Sequence, residues 1–273
     1  MIDWSTHQWK DLMVVLDQEG ILWVTLNRPE ASNAFSDEMI ESLVTMMPQA
    51  DRDDRVRLFV VTGAGKHFCA GGDIKAMRDE TGMFAGSSNE LRERYQKGIQ
   101  RIPLMMEALS KPVIALVNGA AVGAGCDFAC MADLRVASSD AFFSETFAKL
   151  GLVPGDGGTY FLPRVIGWPR AMEMFLTGRK VSATEALSWG MINRLASNGD
   201  ELETVQKLAS QILQMAPIAL SMTKKALRFS QKAELAQALD MLATFQGITQ
   251  RTQDHKEAVN ALLEKRKANF QGL

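Results

Sequence analysis

Two apolar runs that each end in a string of small residues constrain this chain more than any other feature. Val56-Arg57-Leu58-Phe59-Val60-Val61 leads into Thr62-Gly63-Ala64-Gly65-Lys66-His67-Phe68-Cys69-Ala70-Gly71-Gly72-Asp73. Val113-Ile114-Ala115-Leu116-Val117 leads into Asn118-Gly119-Ala120-Ala121-Val122-Gly123-Ala124-Gly125-Cys126-Asp127. The runs read as buried strands bounded by breakers. The small residues beyond them let backbone come close to a ligand and aim N–H groups at it. Two such loops can direct two donors at one oxygen and stabilise charge that develops there. The pattern points to an enzyme.

Around these runs the sequence repeats a strand–strand–helix pattern, short of strict strand–helix alternation. Val14-Val15-Leu16 and Ile21 to Leu26 flank a turn at Gln18-Glu19-Gly20 and read as a hairpin. Ser36 caps a helix expected to reach Asp51, with Asp37 and Glu38 in its first turn. Met77 to Ser88 reads as a loop, Glu90 to Leu109 as one helix, and Ala124 to Ala132 as another. A strand over Leu134 to Ala137 follows, then a glycine-rich turn, Pro154-Gly155-Asp156-Gly157-Gly158-Thr159, opens a helix. From Ser182 onward the pattern is mainly helical. The expected fold class is α/β with a helical appendix, divided as a core over 1–200 and a C-terminal helical region over 201–273.

Composition narrows the function classes. With 273 residues, 47% hydrophobic and 23% charged, the chain has the make-up of an ordinary globular protein with a sizeable core. A net charge of −2, with both signs interspersed, offers no basic face for nucleic acid. No apolar run approaches the roughly 18 residues that span a membrane, and Met1-Ile2-Asp3-Trp4 lacks the form of a signal peptide, so the cytoplasm is expected. Cys69, Cys126 and Cys130 are odd in number and read as buried thiols, and three scattered histidines make a poor metal set. His67, without a paired nucleophile, reads as a loop histidine.

Several segments together carry a family likeness. They are Thr25-Leu26-Asn27-Arg28-Pro29-Glu30-Ala31-Ser32-Asn33-Ala34-Phe35, Phe68 to Lys75, Lys111-Pro112-Val113-Ile114-Ala115 with Val117-Asn118-Gly119, the Pro154 to Thr159 turn, Ala171 to Gly178, and Glu264 to Phe270. In number and order they resemble the enoyl-CoA hydratase/isomerase (crotonase) superfamily over nearly the whole chain. The resemblance implies a spiral of ββα turns in two roughly perpendicular sheets, followed by helices that build a homotrimer or a dimer of trimers. It also implies an acyl-CoA thioester as substrate, with no metal or redox cofactor.

Carried over by motif, the oxyanion-hole donors would be the N–H groups of Ala70 and Ala124. The coenzyme A side would fall to Arg28, Ala31, Ser32 and Ala34, to Asp73 and Ile74 beside the same groove, and to Lys265 through trimer formation. The acyl pocket would draw on Met77 to Met105, including Met83 and Phe84.

The likeness breaks at the acids. Hydratases of the family use two glutamates. The first position here is Asp127, and the second falls on Phe147. Asp156 offers a replacement, so Asp127 and Asp156 are the expected acid/base pair, while Glu145 reads as a surface or structural acid. Hydration or double-bond isomerisation of an enoyl-CoA follows, with thioester hydrolysis and a silent CoA-binding scaffold as the alternatives left open.

Overall fold

The computed structural model describes residues 2–273. They divide into two compact units, one of residues 2–109 with 113–206, the other of 110–112 with 207–273. The first unit holds nine strands in two sheets. β1 (Leu12–Leu16), β2 (Ile21–Leu26), β3 (Leu58–Gly63), β4 (Val113–Val117), β6 (Leu134–Ser138) and β9 (Arg194–Ala196) form a six-stranded sheet in that order. β5 (Ala120–Val122), β7 (Phe142–Ser144) and β8 (Val181–Ser182) form the second.

The hairpin pairs β1 antiparallel to β2, while every later pair in the large sheet is parallel. Parallel strands need covered crossovers, and their burial shows it. All of β4 is buried and β3 nearly so, whereas the edge strand β1 alternates buried with exposed residues.

Helix α1 (Asp37–Asp51) starts where the sequence indicates, with Ser36 Oγ accepting the Met39 N–H at 2.9 Å. Its buried face is Met39, Ile40, Leu43, Met46, Met47 and Ala50, a helical stripe. Each of the larger side chains contributes about 1.5–3 kcal/mol by leaving water. The segment from Met77 to Ser88 carries more structure than a loop: α2 (Ile74–Arg78) is capped by Asp73, and a turn of 3-10 helix spans Gly82–Phe84. The expected helix over Glu90 to Leu109 is two, α3 (Ser88–Lys97) and α4 (Arg101–Ala108). Gly98 separates them with ψ of −111°, which no helix tolerates.

Helix α5 (Ala124–Met131) is fixed at both ends. The Gly123 N–H donates to the Ser144 carbonyl at 2.8 Å. At the far end buried Arg135 donates to the carbonyls of Ala132 at 2.7 Å and Ala129 at 3.3 Å, a cation on a helix C-terminus. α6 (Gly158–Ile166), α7 (Trp168–Thr177) and α8 (Ala183–Ser188) complete the unit before α9 (Glu201–Leu213). The second unit contains α10 (Pro217–Ser230), α11 (Leu235–Thr249) and α12 (Gln253–Leu263). None of the described helices is long and apolar enough to cross a membrane.

Candidate active site

The two small-residue loops meet. Cys69 bridges to Ala121, with the Val122 N–H donating to the Cys69 carbonyl at 3.0 Å. Gly125 lies so close to that carbonyl that any side chain would overlap it. Gly71, at φ +86°, turns the chain where a Cβ would stand 2.6 Å from the Val122 oxygen and 3.1 Å from the Ala124 nitrogen. Glycine is required at both positions by contact, and at Gly71 also by its left-handed backbone.

The N–H inventory of this crossing corrects one sequence expectation. The Ala70 N–H donates to the Ser32 carbonyl at 3.0 Å, so it holds two loops together and is not free for a ligand. The Gly71 N–H meets Cys69 Sγ at 3.4 Å. The next residue, Gly72, lines an apolar pocket together with Ala124. No acceptor among the described residues meets the N–H of Gly72 or that of Ala124. Ala124 opens α5, where the helix dipole adds positive potential. The loop that the motif singled out thus has its unengaged N–H at Gly72, where the motif pointed to Ala70.

That pocket, with about 40 Å³ of free space, is walled by Phe35, Met77, Met83, Phe84, Tyr95, Ile99, Phe147 and Leu152. Five residues of the expected acyl segment, Met83 and Phe84 among them, therefore line it. Its one carboxyl is that of Asp156, from the turn before α6. A polar cleft of about 230 Å³ shares Phe35, Met83 and Phe84 with it and is bounded by Arg28, Ser36, Asp37, Glu38 and Asp73.

Asp127 and Asp156 are both buried, 0% and 3% exposed, and neither accepts an N–H or hydroxyl. Asp127 packs against Gly158, the first residue of α6, so closely that a Cβ there would overlap its carboxyl. The structure brings the two expected acids together and adds a third. Glu145, expected on the surface or in a structural role, is 0% exposed and equally without a donor. It follows β7, whose pairing with β5 carries it beneath α5. Burial pushes all three carboxyls above their ordinary range, and for Asp127 the charges of Glu145 and Asp156 push further. Asp127 is the one whose carboxyl interacts with both others.

Cys69 is inert: burial raises its thiol to about 12, and it donates to the Asn33 carbonyl at 3.1 Å. His67 presents its carbonyl to Asn33 Nδ2 at 2.7 Å.

On the coenzyme side the structure is less accommodating than the sequence suggests. The Arg28 guanidinium is engaged by the Ala34 carbonyl at 2.7 Å and by Asp73 and Asp11 at 3.4 and 3.5 Å. The N–H groups of Ala31, Ser32 and Ala34 close turns within the segment, at 3.0, 3.1 and 3.1 Å. Ser32 and Asn33 take left-handed backbone there, and Asn33 secures the turn through Ala64 and His67 carbonyls. At Ala31, Ser32 and Ala34 a ligand meets side chains and carbonyl oxygens, with no free amide. Asp73 is spent as the cap of α2, while Ile74 is exposed. Lys265 lies in the second unit, just after α12, with φ of +55°.

The enoyl-CoA hydratase/isomerase family's sequence profile matches residues 17–272. The 1,2-epoxyphenylacetyl-CoA isomerase of Escherichia coli is 38% identical, over 93% of this chain and 96% of its own. The crotonyl-CoA hydratase of Syntrophomonas wolfei is 36% identical, over 94% and 97%. The crystal structure of an enoyl-CoA hydratase from Bacillus anthracis superposes with a TM-score of 0.90 at 30% identity, covering 97% of this chain and 100% of that one. The protein is an enzyme of the enoyl-CoA hydratase/isomerase family, built on the crotonase fold.

Proposed function

We propose that the protein moves the double bond of an enoyl-CoA, using the amides of Gly72 and Ala124 to hold the thioester oxygen and Asp156 to carry the proton. The observation that supports this best is the pocket itself, where one carboxyl faces an otherwise apolar wall beside two unengaged amides.

The chemistry runs as a 1,3-proton shift. Abstraction of a proton next to the thioester, or from the carbon beyond the double bond, leaves a dienolate whose charge rests on the thioester oxygen. Two amides aimed at that oxygen lower the barrier, each by about 3–4 kcal/mol. Asp156 returns the same proton at the other end of the conjugated system. Its raised affinity for a proton matches that task, because a carboxylate in apolar surroundings is a stronger base than one in water.

Hydration needs a second group to orient water. The position where hydratases of the family carry their second glutamate is Phe147, part of the apolar wall. Water finds few partners there, so isomerisation is the better fit. The polar cleft carries Asp37, Glu38 and Asp73 and suits the uncharged pantetheine arm more than phosphates. In the second unit, Leu235, Leu239, Leu262 and Leu263 are exposed, which supports trimer assembly through these helices. Sedimentation velocity checks that assembly.

The functional test is to incubate the protein separately with 3-hexenoyl-CoA and crotonyl-CoA and follow mass and absorbance. Isomerisation gives unchanged mass with new conjugated-enoyl absorbance from the 3-enoyl ester. Addition of water to crotonyl-CoA without conversion of 3-hexenoyl-CoA overturns the proposal in favour of hydration. Release of free CoA from either overturns it in favour of hydrolysis.

A further inference from the structure

We propose that Glu145 is a positioning residue of this site, a third buried carboxyl that shares protons with Asp127 and through it sets the charge on Asp156 at the pocket. This rests on the acid/base reading above.

The Glu145 backbone is clamped. The Ser144 carbonyl accepts the Gly123 N–H at 2.8 Å, and Ser144 Oγ donates to the Gly178 carbonyl at 3.0 Å. Its side chain is fully buried, and among the described residues no cation pairs with it and no N–H or hydroxyl reaches it. What it meets is the carboxyl of Asp127 and the thiol of Cys126. Cys126 adjoins Cys130, and Arg135 lies beyond Cys130. Asp156 faces the cluster from the turn before α6, and Tyr95 faces Asp156 across the pocket. Lys149, on the next turn of chain, is engaged by the Gly178 carbonyl.

A buried carboxylate with no donor is costly and therefore strongly basic, so protons supply what the chain does not. Carboxyls in contact cannot all ionise and titrate as a group. Asp127 stands between the other two, and its single O–H can donate to only one at a time. Directed at Asp156, that proton weakens the base. Directed at Glu145, it leaves Asp156 free to take a proton from the substrate carbon. Asp156 then gives its proton to the other carbon, and the Asp127 O–H turns back. No proton is gained or lost over the cycle. A purely structural acid at 145 would leave the basicity of Asp156 untouched.

The test compares full-length wild type with Glu145→Gln and Glu145→Asp. Buried carboxyls are titrated by infrared spectroscopy, and kcat/KM for 3-hexenoyl-CoA is measured against pH. Glutamine keeps the shape and removes the charge. The expected result is a folded variant in which both the infrared titration and the acidic limb of the rate profile, where Asp156 loses its proton, move down by about one pH unit, with aspartate restoring part of the shift. An unchanged titration in Glu145→Gln overturns the proposal. A clear infrared shift in a protein that converts no 3-enoyl ester overturns the proposed function and leaves the proton sharing standing. If Glu145→Gln does not fold, wild type labelled with ¹³C at glutamate carboxyls decides the matter. A buried glutamate that keeps its proton above about pH 6 supports the inference, and its absence overturns it.

Discussion

The two ends of the apolar pocket are built on different principles. At one end, Gly72 and Ala124 offer main-chain amides whose positions follow from backbone crossing alone. At the other, Asp156 faces the pocket while Asp127 and Glu145 are buried outside its lining, three acids from separate parts of the chain that meet only in the finished fold. The amide end needs little from its side chains and is written locally, as glycines where chains touch. The carboxyl end depends on burial, and burial is a property of the whole unit. In the proposed reaction the first would stabilise charge that appears on the substrate, and the second would hold a proton at a cost to stability.

This contrast can be broken by experiments of decreasing expected effect. Asp156→Asn removes the only carboxyl at the pocket wall and should lower kcat for 3-enoyl isomerisation by roughly 10²–10⁴-fold, with the circular dichroism spectrum unchanged. Near-wild-type turnover would remove Asp156 from the chemistry. Ala124→Pro deletes one amide at the first position of α5, where proline is accepted by a helix. Steady-state kinetics should then show a loss of about 10²–10³-fold, with Tm nearly retained.

The carboxyl end makes a prediction about stability. Burial raises the folded-state pKa of all three acids above their unfolded values, so the folded chain binds more protons than the unfolded one. Their contribution is fully present below the unfolded values near pH 4, and it is lost as pH rises toward the folded ones. Urea midpoints should fall between pH 5 and pH 8 in wild type, and Asp127→Asn should flatten that slope and gain roughly 1–2 kcal/mol at pH 8. A midpoint that rises with pH, and that Asp127→Asn leaves alone, would contradict the burial account. Smallest of all, Cys69→Ala should alter kcat less than about threefold, since a thiol raised to about 12 is no nucleophile at neutral pH.

The same division explains what could be read before folding. The hairpin, α1 with its Ser36 cap, and both loop-feeding strands were legible because periodicity and capping are local signals. The short strands β5, β7, β8 and β9 were not, since three or fewer residues of alternation carry no pattern. The loop that approaches the pocket was legible, but not which of its N–H groups is left unengaged. Ala70 and Gly72 differ only in which N–H is consumed by the Ser32 carbonyl, a contact between distant segments. Glu145 escaped for a similar reason: nothing beside it in sequence shows that pairing of β7 with β5 carries it inward. The occupied guanidinium of Arg28 was likewise invisible, because Asp11 and Asp73 reach it from elsewhere in the chain.

The most direct test is a crystal structure of the Asp156→Asn variant with 3-hexenoyl-CoA bound. The thioester oxygen should lie about 3 Å from the nitrogens of both Gly72 and Ala124, with the reacting carbons over residue 156. An ester whose carbonyl sits away from those two amides, or against Ala70 in their place, would contradict the account.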